Sequence, residues 1–321
     1  MADFTRGPVN VDNLLATTLQ EYRPKMYEQW VNNNVILKKL DPSAKDTIDG
    51  GISIVEHIEY ASNSNIGWVG RTGSVPTNDF EFLTQARFQW ATLAGGLSIY
   101  DHDLAKNMGK NQLFDLMKAK LDNLQRTFSD SLERGFLASS TANIDTVNSL
   151  YDIIDSADPS VGNLGDIDRD SYSWWQATET GSGSFATQGL EDLRTASSTV
   201  SRSGMDPVNM HITTQSIFNY YKARLTPHEI LVNMDSAGDL EKKSLAFEGA
   251  PVVFSFAAQS GTWLGINTKY LRFRVNKNMN FLQQPFVRGK GDQYKSAIVQ
   301  TMCQLNCTRP KSQFKLTGIT A

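Results

Sequence analysis

Four short stretches carry residue types at spacings that could do chemistry. Asp166-Ile167-Asp168-Arg169-Asp170 opens like a calcium loop, with carboxylates at alternate positions. Such a loop needs a glycine next and a bidentate glutamate six residues later, and the chain has Ser171 and Ala177 there. The sharp bend and the bidentate ligand are both missing, so a structural loop is the better reading. Gly181-Ser182-Gly183-Ser184-Phe185-Ala186 fits the loosest dinucleotide fingerprint, but it follows Gln-Ala-Thr-Glu-Thr rather than an apolar strand. Ser312 and Lys315 have the spacing of a serine acylase pair, yet they lie in a β-patterned tail without the companion motifs. Asp101-His102-Asp103 offers metal ligands, and its position before an apolar helical turn at Leu104 favours capping.

The remaining reactive residues are scattered. His57 falls in a strand pattern, and His211 and His228 have no acid in a useful register. Cys303 and Cys307 share one face of an extended segment, too far apart along it for a disulfide, and read as two packed thiols. The sequon Asn306-Cys307-Thr308 means nothing without a secretory route. No catalytic set with correct spacing emerges, and no cofactor or metal site is assigned. A metal-dependent hydrolase using Asp166, Asp168 or His102 is the enzymatic alternative, and its weakness is that missing constellation.

The composition sets outer bounds. The chain has 321 residues, 40% of them hydrophobic and 20% charged, which is a globular balance with a sizeable core. The longest apolar run, residues 251–258, falls far short of the roughly 20 residues a membrane span requires. The first eight residues show no signal-peptide core, so intracellular assembly is expected. The net charge of −3 hides opposed blocks. Residues 141–192 hold ten acids against Arg169 alone, and residues 249–321 hold ten bases against Asp292 alone. Three readings stay open: complementary faces of a self-assembling subunit, a basic face toward a polyanion, or two solvated surfaces. Aromatic residues interleave with the bases of that last block, and they read as core.

Elements must position all of this. Residues 1–11 carry only Phe4, Val9 and Val11 as anchors and read as an arm that needs a partner. The segment up to residue 47 is helical in pattern, broken at Pro24. Period-2 alternation over Ile52–Tyr60 and Phe80–Trp90 predicts a long hairpin, with an 18-residue tip at 62–79 punctuated by Gly67, Gly70, Gly73 and Pro76. Trp68 and Val69 look exposed on that tip, and a hairpin this long and apolar needs a partner. Leu113, Met117, Leu121, Leu124, Phe128, Leu132 and Phe136 recur at helical spacing and predict one long helix over 112–138. Residues 139–189 shift to Ser, Thr, Gly and Asp and predict loops and short strands. Helices follow at 188–200 and 215–223, with strands at 210–213, 249–256, 263–266, 269–277, 294–307 and 314–319.

This order resembles the major capsid proteins of tailed bacteriophages, the Hong Kong 97-like capsid fold family. The run 163–176 (Asn-Leu-Gly-Asp-Ile-Asp-Arg-Asp-Ser-Tyr-Ser-Trp-Trp-Gln) is similar to a loop common in that family. So are residues 245–254 and 264–273, which hold Phe-Glu-Gly-Ala-Pro-Val and Ile-Asn-Thr-Lys-Tyr-Leu. The resemblance covers nearly the whole chain and implies an α+β fold divided into five parts. These are an N-terminal arm with short helices at 1–47, an extended β-hairpin loop at 48–94 and a peripheral domain at 95–139 with its spine helix. An axial domain at 140–265 and returning C-terminal strands at 266–321 complete it.

The same resemblance implies a non-catalytic shell subunit. Hexamers and pentamers would enclose double-stranded DNA without sequence specificity, in a virion assembled in the host cytoplasm. Separate scaffolding, portal and decoration proteins are the further partners, and no membrane is involved. Phe4, Trp68, Val69 and Arg71 are the expected intersubunit contacts. Some family members crosslink neighbours through a lysine in the extended loop. Residues 46–105 contain no lysine, so a non-covalent shell is expected. An encapsulin-like compartment shell shares the fold and is the alternative within the assembly class.

Overall fold

The computed structural model describes Ile36 and residues 45–106, 116–138, 146–155, 163–224, 245–289 and 291–320. In chain order the strands are β1 (Lys45–Ile48), β2 (Ile54–Glu59), β3 (Leu83–Phe88), β4 (Ala91–Tyr100), β5 (Thr178–Gly181), β6 (Met210–Thr213) and β7 (Leu245–Phe247). They continue as β8 (Ala250–Phe254), β9 (Trp263–Ile266), β10 (Leu271–Asn276), β11 (Leu282–Gln283), β12 (Tyr294–Cys307) and β13 (Phe314–Thr317). The helices are α1 (Asp101–Lys106), α2 (Leu116–Phe136), α3 (Leu150–Ile153), α4 (Leu190–Val200) and α5 (Gln215–Arg224).

β12 organises the first sheet. It pairs antiparallel with β10, β11 and β4, and β1 adds in parallel on the far side of β10. Period 2 sorts its residues between two faces. Ala297, Val299, Cys303, Leu305 and Cys307 are buried, and Ser296 and Ile298 are exposed. α2 lies against the buried side. Phe128, Leu132 and Phe136, spaced four apart, form its inward stripe, and Phe136 meets Phe273 of β10 edge-on at 5.4 Å. The helix ends at Phe136 rather than 138, and its start at 112 lies outside the described residues. Asp130 and Glu133 are buried; Glu133 accepts a hydrogen bond from Ser255 at 3.2 Å.

The second sheet runs β5-β13-β9-β6-β8-β7. Every residue of β6 and β9 is buried, because the sheet is covered on both faces. Trp263, Phe314 and Leu316 pack with Leu193, Val200 and Ile217 of α4 and α5. Met210, Ile212, Leu264 and Ile266 face the other way and join the core beneath α2 and β12.

Three local expectations change. Lys45–Ile48, read as the end of a helical arm, is a strand paired with β10. Ala91–Tyr100, where no element was expected, is a ten-residue strand. The helix expected from 188 begins at Leu190, after a wide turn over residues 185–189.

Candidate functional site

The hairpin β2–β3 pairs Ile54 with Phe88 and Ile58 with Thr84. Ile54, Ile58, Ala86 and Phe88 fill the main core, which anchors its base. Arg274 of β10 fixes the angle of that base, because its guanidinium is shared between Glu56, at 2.7 Å, and Asp46. Beyond the strands the chain runs out as an extended loop. Tyr60 donates its backbone N–H to Phe82, and Asn65 reaches across to the carbonyl of Asn78. Trp68 at its tip is wholly exposed, and Ile66, Val69, Arg71 and Val75 are exposed beside it. Val55, Phe82 and Leu83 add apolar surface nearer the base. Trp68, Val69 and Arg71 therefore share one tip, and Phe4 lies outside the described residues.

A second uncovered surface lies on the first sheet. α2 packs on the side where Gly95 admits the Phe128 ring, and among the described residues no helix packs on the opposite face of β4 and β12. Ile298, Leu282 and Val287 stand exposed there in paired register, opposite small residues Ala94, Gly96 and Ser98. Exposed apolar surface of this kind marks an interaction site. The sequence indicated the tip through its glycines and proline. It could not indicate the sheet face, which depends on which side α2 takes.

A basic and aromatic cleft of about 540 Å³ opens beside the hairpin base, lined by Tyr60, Trp174, Tyr270, Arg202, Arg309 and Lys311. Tyr60 and Trp174 stack at 5.3 Å. Asp206 governs the charges at its edge, accepting from Lys269 at 2.7 Å and from the Tyr270 hydroxyl at 2.6 Å. The Lys269 ammonium and then the Tyr270 hydroxyl hold the Asp206 carboxyl below its usual range.

The basic block is largely spent inside the chain. Lys269 and Arg309 face Asp206, Arg274 faces Glu56 and Asp46, and Lys277 faces Asp49. Arg288 faces Asp101, and Lys315 faces Asp155 and Glu179. Of these pairs only that of Lys315 reaches the acidic block at 141–192; the other bases meet acids elsewhere in the chain.

None of the sequence's chemical candidates assembles into a site. Asp168 accepts from Asp170 N–H and the Ser171 hydroxyl, a loop holding itself, and that hydroxyl keeps its carboxyl below the ordinary value. Asp101 and Asp103 lie in the first turn of α1. Ser312 is fully buried, with its hydroxyl unpartnered, and the Lys315 amine turns to carboxylates instead. Cys303 and Cys307 are free buried thiols, both pushed by burial up to about 12. Among the described residues no three His, Cys, Asp or Glu side chains are placed to hold a metal, and no helix is long and apolar enough to cross a membrane.

No protein-family model matches the chain. No curated protein matches it either. Solved structures do match. The capsid asymmetric unit of Cyanophage A-1(L) is 12% identical, with 98% of this chain and 99% of that one covered at a TM-score of 0.71. The capsid of a native GTA particle is 8% identical, covering 94% and 96% at a TM-score of 0.66. The capsid of the Cyanophage P-SCSP1u is 13% identical, covering 95% and 94% at a TM-score of 0.60. At such identities the likeness is one of fold. The α+β, Hong Kong 97-like capsid fold expected from the sequence is the fold of this chain.

Proposed function

We propose that the chain is the major capsid protein of a tailed bacteriophage, a non-catalytic subunit that builds an icosahedral shell from hexamers and pentamers. The observation that carries this is the end-to-end likeness of fold to capsid subunits. Two features of the chain support it. The hairpin tip and the open face of β4 and β12 are apolar surfaces that one copy leaves bare. They are unlike surfaces, and unlike surfaces that meet head-to-tail close into rings where the rotation between copies closes. In this reading Trp68, Val69 and Arg71 seat on a neighbouring copy, and Phe4 laces another contact. Double-stranded DNA fills the shell without sequence readout, with scaffolding, portal and decoration proteins as separate partners. With no lysine over residues 46–105, the hairpin contact is non-covalent.

Negative-stain electron microscopy with light scattering on the expressed protein tests the proposal. Closed shells, or hexameric and pentameric rings, are the expected result. A species that stays monomeric or dimeric even with its neighbouring gene products present overturns it. Particles filled with protein cargo instead of DNA would assign the same fold to a cellular compartment.

A further inference from the structure

Lys315 stands on β13 with its amine between two carboxylates, 3.3 Å from Oε1 of Glu179 and 3.7 Å from Oδ1 of Asp155. The side chains of Lys315 and Asp155 are 11% and 8% exposed, and that of Glu179 is 24% exposed. Rigid elements deliver all three. Lys315 and Glu179 are registered partners across the parallel pair β13–β5. Asp155 follows α3, whose start is fixed by a reciprocal cap between Ser149 and Asp152. Phe314 and Leu316, on either side of Lys315, are fully buried. Arg169 reaches the same corner, but its guanidinium donates to the backbone carbonyls of Asp152 and Asp155. The Asp155 carboxyl meets Lys315 and a hydrogen bond with Glu179, with the Arg169 charge nearby. Two carboxyls that hydrogen-bond to each other hold a proton between them.

We propose that Lys315 and Asp155 condense into an amide bond within the chain, with Glu179 carrying the protons. A carboxylate resists attack, whereas a protonated carboxyl is an electrophile. Burial raises the Asp155 carboxyl against the pull of Lys315 and Arg169, and Glu179 raises it further, which favours the protonated form. Glu179 takes one proton from the Lys315 ammonium, and the free amine attacks Cγ of Asp155. A proton then passes from that nitrogen to the leaving hydroxyl, the C–O bond breaks, and one water departs as the C–N bond is kept. The proton first taken from the ammonium leaves to solvent through Glu179, the most open of the three. No oxidant, metal or activated donor is needed. Holding the groups in contact replaces a bimolecular condensation by one of high effective concentration. The product also replaces the buried Lys315 ammonium by a neutral amide. The bond ties the sheet carrying β13 to the helix α3 of the other core. It uses neither the hairpin nor a neighbouring copy, so it stands whether or not the chain forms a shell.

Intact-mass measurement of the denatured full chain, followed by a tryptic map, tests this. The expected result is a mass one water below that of the sequence, with a branched peptide joining the segments that hold Lys315 and Asp155. Lys315→Arg and Asp155→Ala are expected at full sequence mass. Glu179→Gln is expected to fold with a native circular dichroism spectrum yet retain the water. A wild-type chain at full sequence mass overturns the proposal without any variant. So does a lost water that maps to other residues, or a Glu179→Gln chain that condenses as fully as the wild type.

Discussion

The indole N–H of Trp263 donates to Nδ1 of His211 across 3.2 Å, and the rings of Phe247 and Phe314 close around the imidazole. A nitrogen that accepts this bond carries no proton, so the ring is neutral with its hydrogen on Nε2. Burial pushes the His211 pKa down from 6.5 to about 3. An unfolded chain therefore binds a proton below the ordinary value that the native chain refuses. The stability from this site is complete above that value and is lost as pH falls from it toward about 3. The loss approaches about 1.4 kcal/mol for each pH unit. Urea unfolding of the dissociated subunit at about pH 7 and about pH 5 should show this fall. His211→Leu should flatten it, and an unchanged slope in that variant would sink the assignment.

Gly265 lies opposite Phe314 in the β9–β13 register, and the phenyl ring occupies the place of a side chain. A Cβ on residue 265 would sit 2.0 Å from Cε1 of Phe314. Both strands are central and the Phe314 ring is fully buried, so neither side can retreat. Gly265→Ala should destabilise the subunit by about 1–3 kcal/mol. Adding Phe314→Leu should cost less than the sum of the two single changes. Thermal melting of the three variants measures this, and strict additivity would refute the steric account.

Arg274 joins three segments far apart in sequence. Its guanidinium bridges Glu56 of the hairpin and Asp46 of β1 while its own strand pairs with β12. Arg274 and Glu56 are mostly buried, and removing the cation leaves a carboxylate without its partner. Arg274→Ala should lose about 1–3 kcal/mol. Combining it with Glu56→Gln should recover part of that loss. Faster hydrogen exchange at the base of the hairpin than elsewhere in the sheet is the local readout. Uniform loss of protection across the sheet would argue against an orienting role.

Which parts were legible in the sequence follows from the range of the interactions that form them. β6, β9 and β12 carry their periodicity in adjacent residues, and the structure places them at the expected bounds, as it places the end of α2 within two residues. β4 carries a signal that only tertiary packing explains. Gly95 weakens the strand pattern, yet a Cβ there would lie 2.4 Å from the ring of Phe128. β1 reads Lys-Asp-Thr-Ile, without alternation, and is a strand because β10 lies beside it. Charge shows the same limit. The acidic and basic blocks were visible as totals, but Arg274 finds Glu56 218 residues away. Lys315 drew notice for Ser312, three residues before it, and its amine instead faces Asp155 and Glu179.

Trp68 is the most exposed large apolar side chain described, and its loop holds it away from the core that anchors the hairpin base. An indole left wholly in water gains by burial, and an aromatic anchor at the centre of an interface typically carries 2 kcal/mol or more. Since it touches none of the subunit's core, its removal should leave the folding of one copy unchanged. Trp68→Ala should thus raise the protein concentration needed for particles by at least about tenfold. Its melting curve as a dissociated subunit should overlay that of the wild type. Arg71→Ala, on the same tip, should act in the same direction but less strongly, because an exposed cation contributes less than a buried ring. Sedimentation of assembly reactions over a concentration series reads the threshold directly. Particles that form at the wild-type threshold from Trp68→Ala protein would remove the hairpin tip from the assembly contact. The open face of β4 and β12 would then be the first surface to substitute, beginning with Ile298 and Val287.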